Sequence, residues 1–198
     1  MVGILGGIGS GKSVVSRILR LRCFGVFDCD YEAKVLMNSD PEMKGEINRI
    51  LGENLFGDGM LDRARVSEII FRDSGKRHAL NALVHSAVKR RLVWWSQQSD
   101  ANRFVECAIA GSSGVLDLVD EILLVDAPEE ERVRRVCCRD GHSLAKVRDI
   151  MNVQDREEEL IKKSGKKIFV LVNSGEEGLL GQMESLGFLK SENNQFNY

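Results

Sequence analysis

The chain has no excess of either charge: 28 Lys and Arg stand against 30 Asp and Glu, a formal net charge of −2 over 198 residues. That balance leaves no electrostatic footprint for nucleic acid or an anionic membrane, and it points to small anions bound locally. Cysteine spacing of the kind that holds zinc or builds a disulfide framework is also missing. The five cysteines, Cys23, Cys29, Cys107, Cys137 and Cys138, are odd in number and include no C-x-x-C pair. Reduced thiols in a cytoplasm are the expected state. No apolar run nears the roughly 18 residues of a membrane span, and no internal repeat or low-complexity stretch is evident. The first residues read directly as strand and loop, which is expected to leave no room for a signal peptide.

What is present is a phosphate-binding loop. Gly6-Gly7-Ile8-Gly9-Ser10-Gly11-Lys12-Ser13 fits G-x-x-x-x-G-K-[ST], directly after the apolar run Val2 to Leu5 and before a helical pattern. At average glycine usage the match arises by chance in about one chain in a hundred or fewer of this length. In such a strand-loop-helix turn the backbone N–H groups of Gly7 to Val14 curl around the β-phosphate of a nucleotide, and the helix adds its unsatisfied N–H groups and positive dipole end. Lys12 is expected at the β- and γ-phosphates and Ser13 on Mg²⁺. No N-K-x-D or D-x-x-G occurs where a GTPase switch needs it.

Along the chain, apolar strands alternate with helices. Lys12 to about Leu21 places Val14, Val15, Ile18 and Leu19 on one helix face. Gly25 to Asp28 reads as a second strand and Tyr31 to Met37 as a helix. From Pro41 to Trp95 only helical signals are read, including starts at Pro41 and at Leu61-Asp62-Arg63 and a long amphipathic stretch from about Ser74. Strands return at Arg103 to Ile109, Glu121 to Asp126 and Ile168 to Val172. Pro128 opens a helix, Arg139-Asp140-Gly141 interrupts it, and Ser143 can cap another running to about Lys163. A last helix is read from Glu176 to Ser185, and the polar end from Ser191 as frayed. The expected fold is α/β: a five-stranded parallel sheet in one domain spanning 1–198, with a helical insertion at 31–98 and a lid-like segment at 137–165.

Several side chains stand out on chemical grounds. Asp28 and Asp30 flank one residue at the end of the second strand. If strand geometry persists there, both carboxylates face the same side, toward the strand ends where open α/β sheets bind ligands. The other reading is that these acids cap the helix beginning at Tyr31, which suits Asp30 best. His85 lies among Leu83, Val84 and Val88, a setting that suits a satisfied core histidine. Trp94 and Trp95 are adjacent, so they point to different helix sides, and a half-buried structural role is expected. Arg134, Arg135 and Arg148 read as a solvated helix face with acid partners such as Glu130 and Glu131.

Taken together, Gly6 to Ser13, Phe27-Asp28-Cys29-Asp30, Gly59-Met60-Leu61-Asp62-Arg63, Leu83-Val84-His85, Leu124-Val125-Asp126-Ala127-Pro128, Arg139-Asp140, Gln154 and Val172-Asn173-Ser174-Gly175 resemble, in order and spacing, the dephospho-CoA kinases. The resemblance spans nearly the whole chain. It implies transfer of the γ-phosphoryl of ATP, with Mg²⁺, to the 3′-hydroxyl of the ribose of dephospho-CoA. It further implies Asp30 as general base, Asp28 and His85 as substrate contacts, and Asn173 beside the adenine. Lys12 and Arg139 become the cations that neutralise the transferring group, Arg139 sitting at the hinge of a segment similar to nucleotide-kinase lids. The implied partner is a small molecule, with neither nucleic acid nor membrane, in a cytoplasmic monomer or weak homo-oligomer. Departures from the pattern are Leu5 where the family has Thr, Ser86 where it has Pro, and an insertion near Gly165-Lys166-Lys167. The largest is Cys107-Ala108-Ile109-Ala110-Gly111-Ser112-Ser113-Gly114 in place of a P-L-L-F-E-like run. A nucleoside or nucleoside-monophosphate kinase shares the loop and sheet. A catalytically weak nucleotide-binding regulator is the alternative from another class.

Overall fold

The computed structural model describes residues 1–98, 103–141 and 143–189, without the side chains of Val153 and Asp155. The expectation of a frayed end from Ser191 lies outside the described residues. Contacts divide the chain into two compact units, Met1–Val26 with Ala101–Tyr198, and Phe27–Asp100.

The first unit holds the sheet and its helices, apart from Phe27 and Asp28 at the end of the second strand. Strands β1 (Val2–Leu5), β2 (Gly25–Asp28), β5 (Arg103–Glu106), β6 (Glu121–Asp126) and β7 (Lys167–Val172) form a five-stranded sheet in the order β2-β5-β1-β6-β7. The pairs β1 with β5, β1 with β6 and β6 with β7 are parallel, with Leu5 opposite Leu124 and Asp126 opposite Val172. A strand inside such a sheet meets packed side chains on both faces and is apolar throughout, as Ile122, Leu123 and Val125 are, each 1% exposed or less. Around Leu123 and Val125 lie Val15 and Leu19 of α1 (Lys12–Leu21), Leu171, and Leu179 and Met183 of α9 (Leu179–Ser185), closing one apolar core. Helices α7 (Glu129–Asp140) and α8 (Leu144–Lys163) join through Val136, Val147 and Met151 in a second cluster. Ser143 caps α8 by accepting from the Lys146 N–H, and Gly141 ends α7 in a left-handed conformation, so the interruption read at Arg139-Asp140-Gly141 is the α7–α8 corner.

The second unit packs α2 (Cys29–Ser39), α3 (Pro41–Leu51), α4 (Arg63–Arg72) and α5 (Ser74–Ser96) around Met43, Ile47, Leu51, Leu55, Val66, Leu80 and Ala87. Four of its helix starts use aspartate caps: Asp28, Asp40, Asp62 and Asp73 each accept a backbone N–H from the first turn that follows. Trp95 lies half-buried with its ring 5.5 Å from that of Phe27, while Trp94 is exposed beneath the Arg91 guanidinium, 4.8 Å away.

Three expectations need correction. The insertion is not all helical: β3 (Phe56–Gly57) and β4 (Met60–Leu61) pair as an antiparallel hairpin. Its turn residues Asp58 and Gly59 have φ of 49° and 78°, the left-handed pair that an Asp-Gly turn supplies. Helix α2 begins at Cys29 rather than Tyr31, because Asp28 and not Asp30 is its cap. After β5 the strand does not run to Ile109. It stops at Glu106, and small residues form a one-turn helix, α6 (Ala110–Ser113).

Leu123 is fully buried on β6, between β1 and β7, so Leu123→Ala should cost about 2 to 5 kcal/mol of stability. Urea denaturation followed by circular dichroism checks this, and a loss below about 1 kcal/mol would be inconsistent with the full burial of Leu123.

Candidate active site

The loop between β1 and α1 is held by its carbonyl groups. Lys12 Nζ donates to Gly6 O at 2.9 Å and Gly7 O at 3.1 Å. Arg132 Nε donates to Ile8 O at 3.0 Å. Arg135 reaches Gly9 O at 3.4 Å and Asn173 O at 2.9 Å. Asn173 Nδ2 donates to Ser10 O at 2.8 Å, and Gly11 O accepts from the N–H groups of Val14 and Val15 at 2.9 and 3.2 Å. With the carbonyls engaged from outside, the loop is arranged to present N–H groups to an anion. Gly11 adds to this: it precedes α1 in a left-handed conformation and provides no side-chain cap, leaving the first turn of the helix for a ligand.

Close approach requires glycine at positions 9 and 11, as it does at Gly6. Gly9 has φ of 77°, and a Cβ there would stand 2.5 Å from the carbonyl oxygen of Arg132, so the backbone of α7 itself blocks a side chain. A Cβ on Gly11, at φ of 106°, would collide with the Asn173 amide. The Arg132 guanidinium lies over Gly7 in the same way.

At the Gly6–Gly7 end the loop borders a cavity of about 80 Å³ lined in part by Asp126, Arg132, Gln154 and Glu157. Gln154 Oε1 accepts the Ile8 N–H at 2.6 Å. Glu157, 7% exposed, accepts from the Gly111 N–H at 2.8 Å and from Ser112 N–H at 3.2 Å. Asp126 is turned back on its own chain, bonding the Ala127 N–H at 2.8 Å, while its carbonyl accepts from Asn173 N–H at 2.7 Å.

Ser13 is exposed in the first turn of α1. No group of three or more His, Cys, Asp and Glu converges as a metal site among the described residues. A single hydroxyl beside a phosphate cradle is the donor set that Mg²⁺ uses when phosphate oxygens and water complete its octahedron. The residues present therefore fit an ion carried in with the nucleotide.

Gly7 to Val14 and Asn173 thus come together in the first unit, Asn173 as a prop under Ser10. Arg139, in the last turn of α7, is exposed and makes a two-pronged bond with Asp140, both contacts 2.7 Å. That hydrogen bond holds the Arg139 pKa above its ordinary value. Arg134 pairs with Glu131 at 2.8 Å, and Arg148 is exposed. Arg135 departs from the solvated face expected of it: besides Glu131 at 3.6 Å it bonds two backbone carbonyls of the site. Arg132 and Glu157 were not legible as site residues, since neither stands in a motif. A weak signal for Arg132 is its position one turn after Pro128.

In the second unit Asp28 accepts the Tyr31 N–H at 2.9 Å as the α2 cap. The strand geometry that would align Asp28 with Asp30 does not persist, because Cys29 and Asp30 are already helical. Asp30 is exposed in the first turn of α2. His85 is half-buried on α5, next to Leu83 and Val84 packed against the unit's core.

The chain is similar to known proteins. The family model described as dephospho-CoA kinase matches residues 1–177. The dephospho-CoA kinase of Porphyromonas gingivalis is 38% identical over 162 residues, 81% of this chain and 80% of that protein. That of Bacteroides fragilis is 35% identical over 191 residues, 95% of this chain and 92% of that protein. The crystal structure of TT1252 from Thermus thermophilus superposes with a TM-score of 0.77 at 35% identity, over 96% of this chain and 97% of that one. Among the described residues no helix is long and apolar enough to cross a membrane.

Gly9→Ala forces a strained φ and a clash with α7 backbone, so nucleotide affinity should fall roughly tenfold or more. Calorimetric titration reads this, and unchanged affinity would mean the loop need not lie against α7. Asp28→Ala should cost about 1 kcal/mol as a lost cap and Asp28→Asn only a few tenths, measured by urea denaturation.

Proposed function

Because the chain belongs to the dephospho-CoA kinase family, we propose that it moves the γ-phosphoryl of ATP to the 3′-hydroxyl of the ribose of dephospho-CoA, giving coenzyme A and ADP. The observation that carries this reading is the loop itself: every carbonyl from Gly6 to Gly11 has a donor, and the cation of Lys12 is fixed against its entrance.

Phosphoryl transfer asks for positioning and charge neutralisation more than covalent chemistry. The Gly7 to Val14 backbone and the start of α1 hold the β-phosphate, and Lys12 bridges toward the γ-phosphate. Ser13 is the protein ligand of Mg²⁺, which when bound spreads the charge of the phosphate oxygens. Arg139 supplies a further cation once its guanidinium exchanges Asp140 for the nucleotide, and Asn173, fixed between Ser10 and Arg135, sits beside the adenine. In the helical unit Asp30 takes the proton of the attacking hydroxyl, with Asp28 and His85 contacting the acceptor. Asp28 is already committed to the α2 cap, which supports giving the base to Asp30.

A coupled ADP-release assay with dephospho-CoA against nucleosides, nucleoside monophosphates and shikimate tests the acceptor. Dephospho-CoA should be the preferred substrate, and a faster rate with any nucleoside monophosphate would sink the reading. Lys12→Ala should abolish ATP-dependent turnover with an unchanged circular dichroism spectrum. Asp30→Asn should lose on the order of 10² to 10⁴ in kcat while Mg·ATP affinity and melting temperature stay unchanged, because the cap bond is made by Asp28. Retention of most of the turnover would remove Asp30 from the role of base.

A further inference from the structure

The Ile8 N–H belongs to the end of the loop where the terminal phosphate of a nucleotide comes to rest. The start of α1 meets the β-phosphate, whereas the Lys12 ammonium, which reaches the γ-phosphate, lies on the carbonyls of Gly6 and Gly7 immediately before Ile8. This N–H is engaged by Gln154 Oε1, brought from α8 at 2.6 Å. The cavity beside it, about 80 Å³, borders Gly6, Gly7, Arg132 and Gln154 and has room for several waters, hence for a phosphoryl group.

The chemistry of a carboxamide suits that position. Its oxygen is a neutral acceptor, and a hydrogen bond to an ionised phosphate oxygen is roughly twice as strong. An arriving γ-phosphate therefore displaces the amide oxygen. The same side chain also carries two N–H donors that a carboxylate lacks.

Helix α8 does not have to move for this exchange. Three residues after Gln154, on the same face, Glu157 anchors the helix to the Gly111 and Ser112 N–H groups. Leu160 fits against Gly111 so closely that a Cβ there would stand 2.6 Å from Leu160 Cδ1. Met151, one turn before Gln154, and Ile161, two turns after it, are buried.

We propose that Gln154 is a placeholder for the terminal phosphate: its oxygen holds the Ile8 N–H until a γ-phosphate oxygen takes it, and its freed amide N–H groups then donate to the phosphoryl being transferred. Gln154 thereby distinguishes ATP from ADP and contributes to turnover. The inference rests on the kinase reading above for the direction of transfer, but its nucleotide arm needs no acceptor.

The test uses Gln154→Glu and Gln154→Leu in the full chain, with calorimetric affinities for Mg·ATP and Mg·ADP, melting temperature, and steady-state kinetics with dephospho-CoA. A carboxylate keeps its hold on Ile8 N–H and repels the γ-phosphate, so Gln154→Glu should lower the ATP-to-ADP affinity ratio roughly tenfold or more, leaving ADP affinity within about threefold of the parent protein. Gln154→Leu should lower kcat roughly tenfold with the KM for dephospho-CoA unchanged. An unchanged ATP-to-ADP ratio in Gln154→Glu overturns the proposal. So does an equal loss of both nucleotides together with a lowered melting temperature, which would mark Gln154 as a mere prop of the loop. If the parent protein fails to use dephospho-CoA, the acceptor assignment falls, and the affinity ratio alone decides the role of Gln154.

Discussion

A loop that offers its N–H groups to a ligand cannot also use them to satisfy its own carbonyls, and this constraint organises the nucleotide-binding half of the molecule. Buried carbonyl groups need donors, and here the donors arrive from three places: Lys12 and the first turn of α1, the inner face of α7 through Arg132 and Arg135, and Asn173 just past β7. Strand order makes this possible. β6 lies beside β1 and β7 beside β6, so the segments that follow both strands emerge on one side of the loop. The Asn173 N–H bond to the Asp126 carbonyl extends the β6–β7 ladder by one step and fixes the amide under Ser10. The glycine at position 9 is the steric counterpart of the same constraint, since only a bare Cα admits the α7 backbone.

The donors chosen are cations, which links the fold to the ligand. A carbonyl accepts a hydrogen bond from an ammonium or guanidinium without cancelling its charge, so Lys12, Arg132 and Arg135 brace the loop and leave a positive field at its rim. In a chain of net charge −2 this field is local, as expected for a protein that binds small polyanions rather than a charged polymer. Glu131, held below its usual carboxylate pKa by Arg134, contacts Arg135 from the solvent side and tempers the field there.

How much of this was legible follows from where each signal lies. The loop, Lys12, Ser13 and the five strands were readable because each is a contiguous pattern with a fixed local geometry. The Asp58-Gly59 hairpin was readable in principle, from a turn dipeptide between short apolar pairs, but strands of two residues are too brief to show alternation. Misplacing the start of α2 by two residues exchanged the capping roles of Asp28 and Asp30, and with them the geometry of the acid pair. Arg132, Arg135 and Glu157 escaped because their partners are backbone groups more than 30 residues away in sequence. A charged residue on an amphipathic helix gives no sign of whether it faces water or a distant loop.

The segment from Cys107 to Gly114 shows such distant pairing at a place where the sequence departs from the resembling family. Where the resembling family carries bulky apolar residues and an acid, this chain has Ala108, Ala110, Gly111 and the serines, which removes volume and a carboxylate from the end of β5. Two side chains of α8 meet this segment: Leu160 stands over Gly111, and Glu157 brings a buried carboxylate to the backbone N–H groups of the short helix. Gln154 lies on α8 three residues before Glu157, so the contact to α6 and the contact to Ile8 are carried by one helix. The packing of one turn of helix is in this way coupled to the phosphate end of the site through contiguous contacts, with α8 as the rigid element between them.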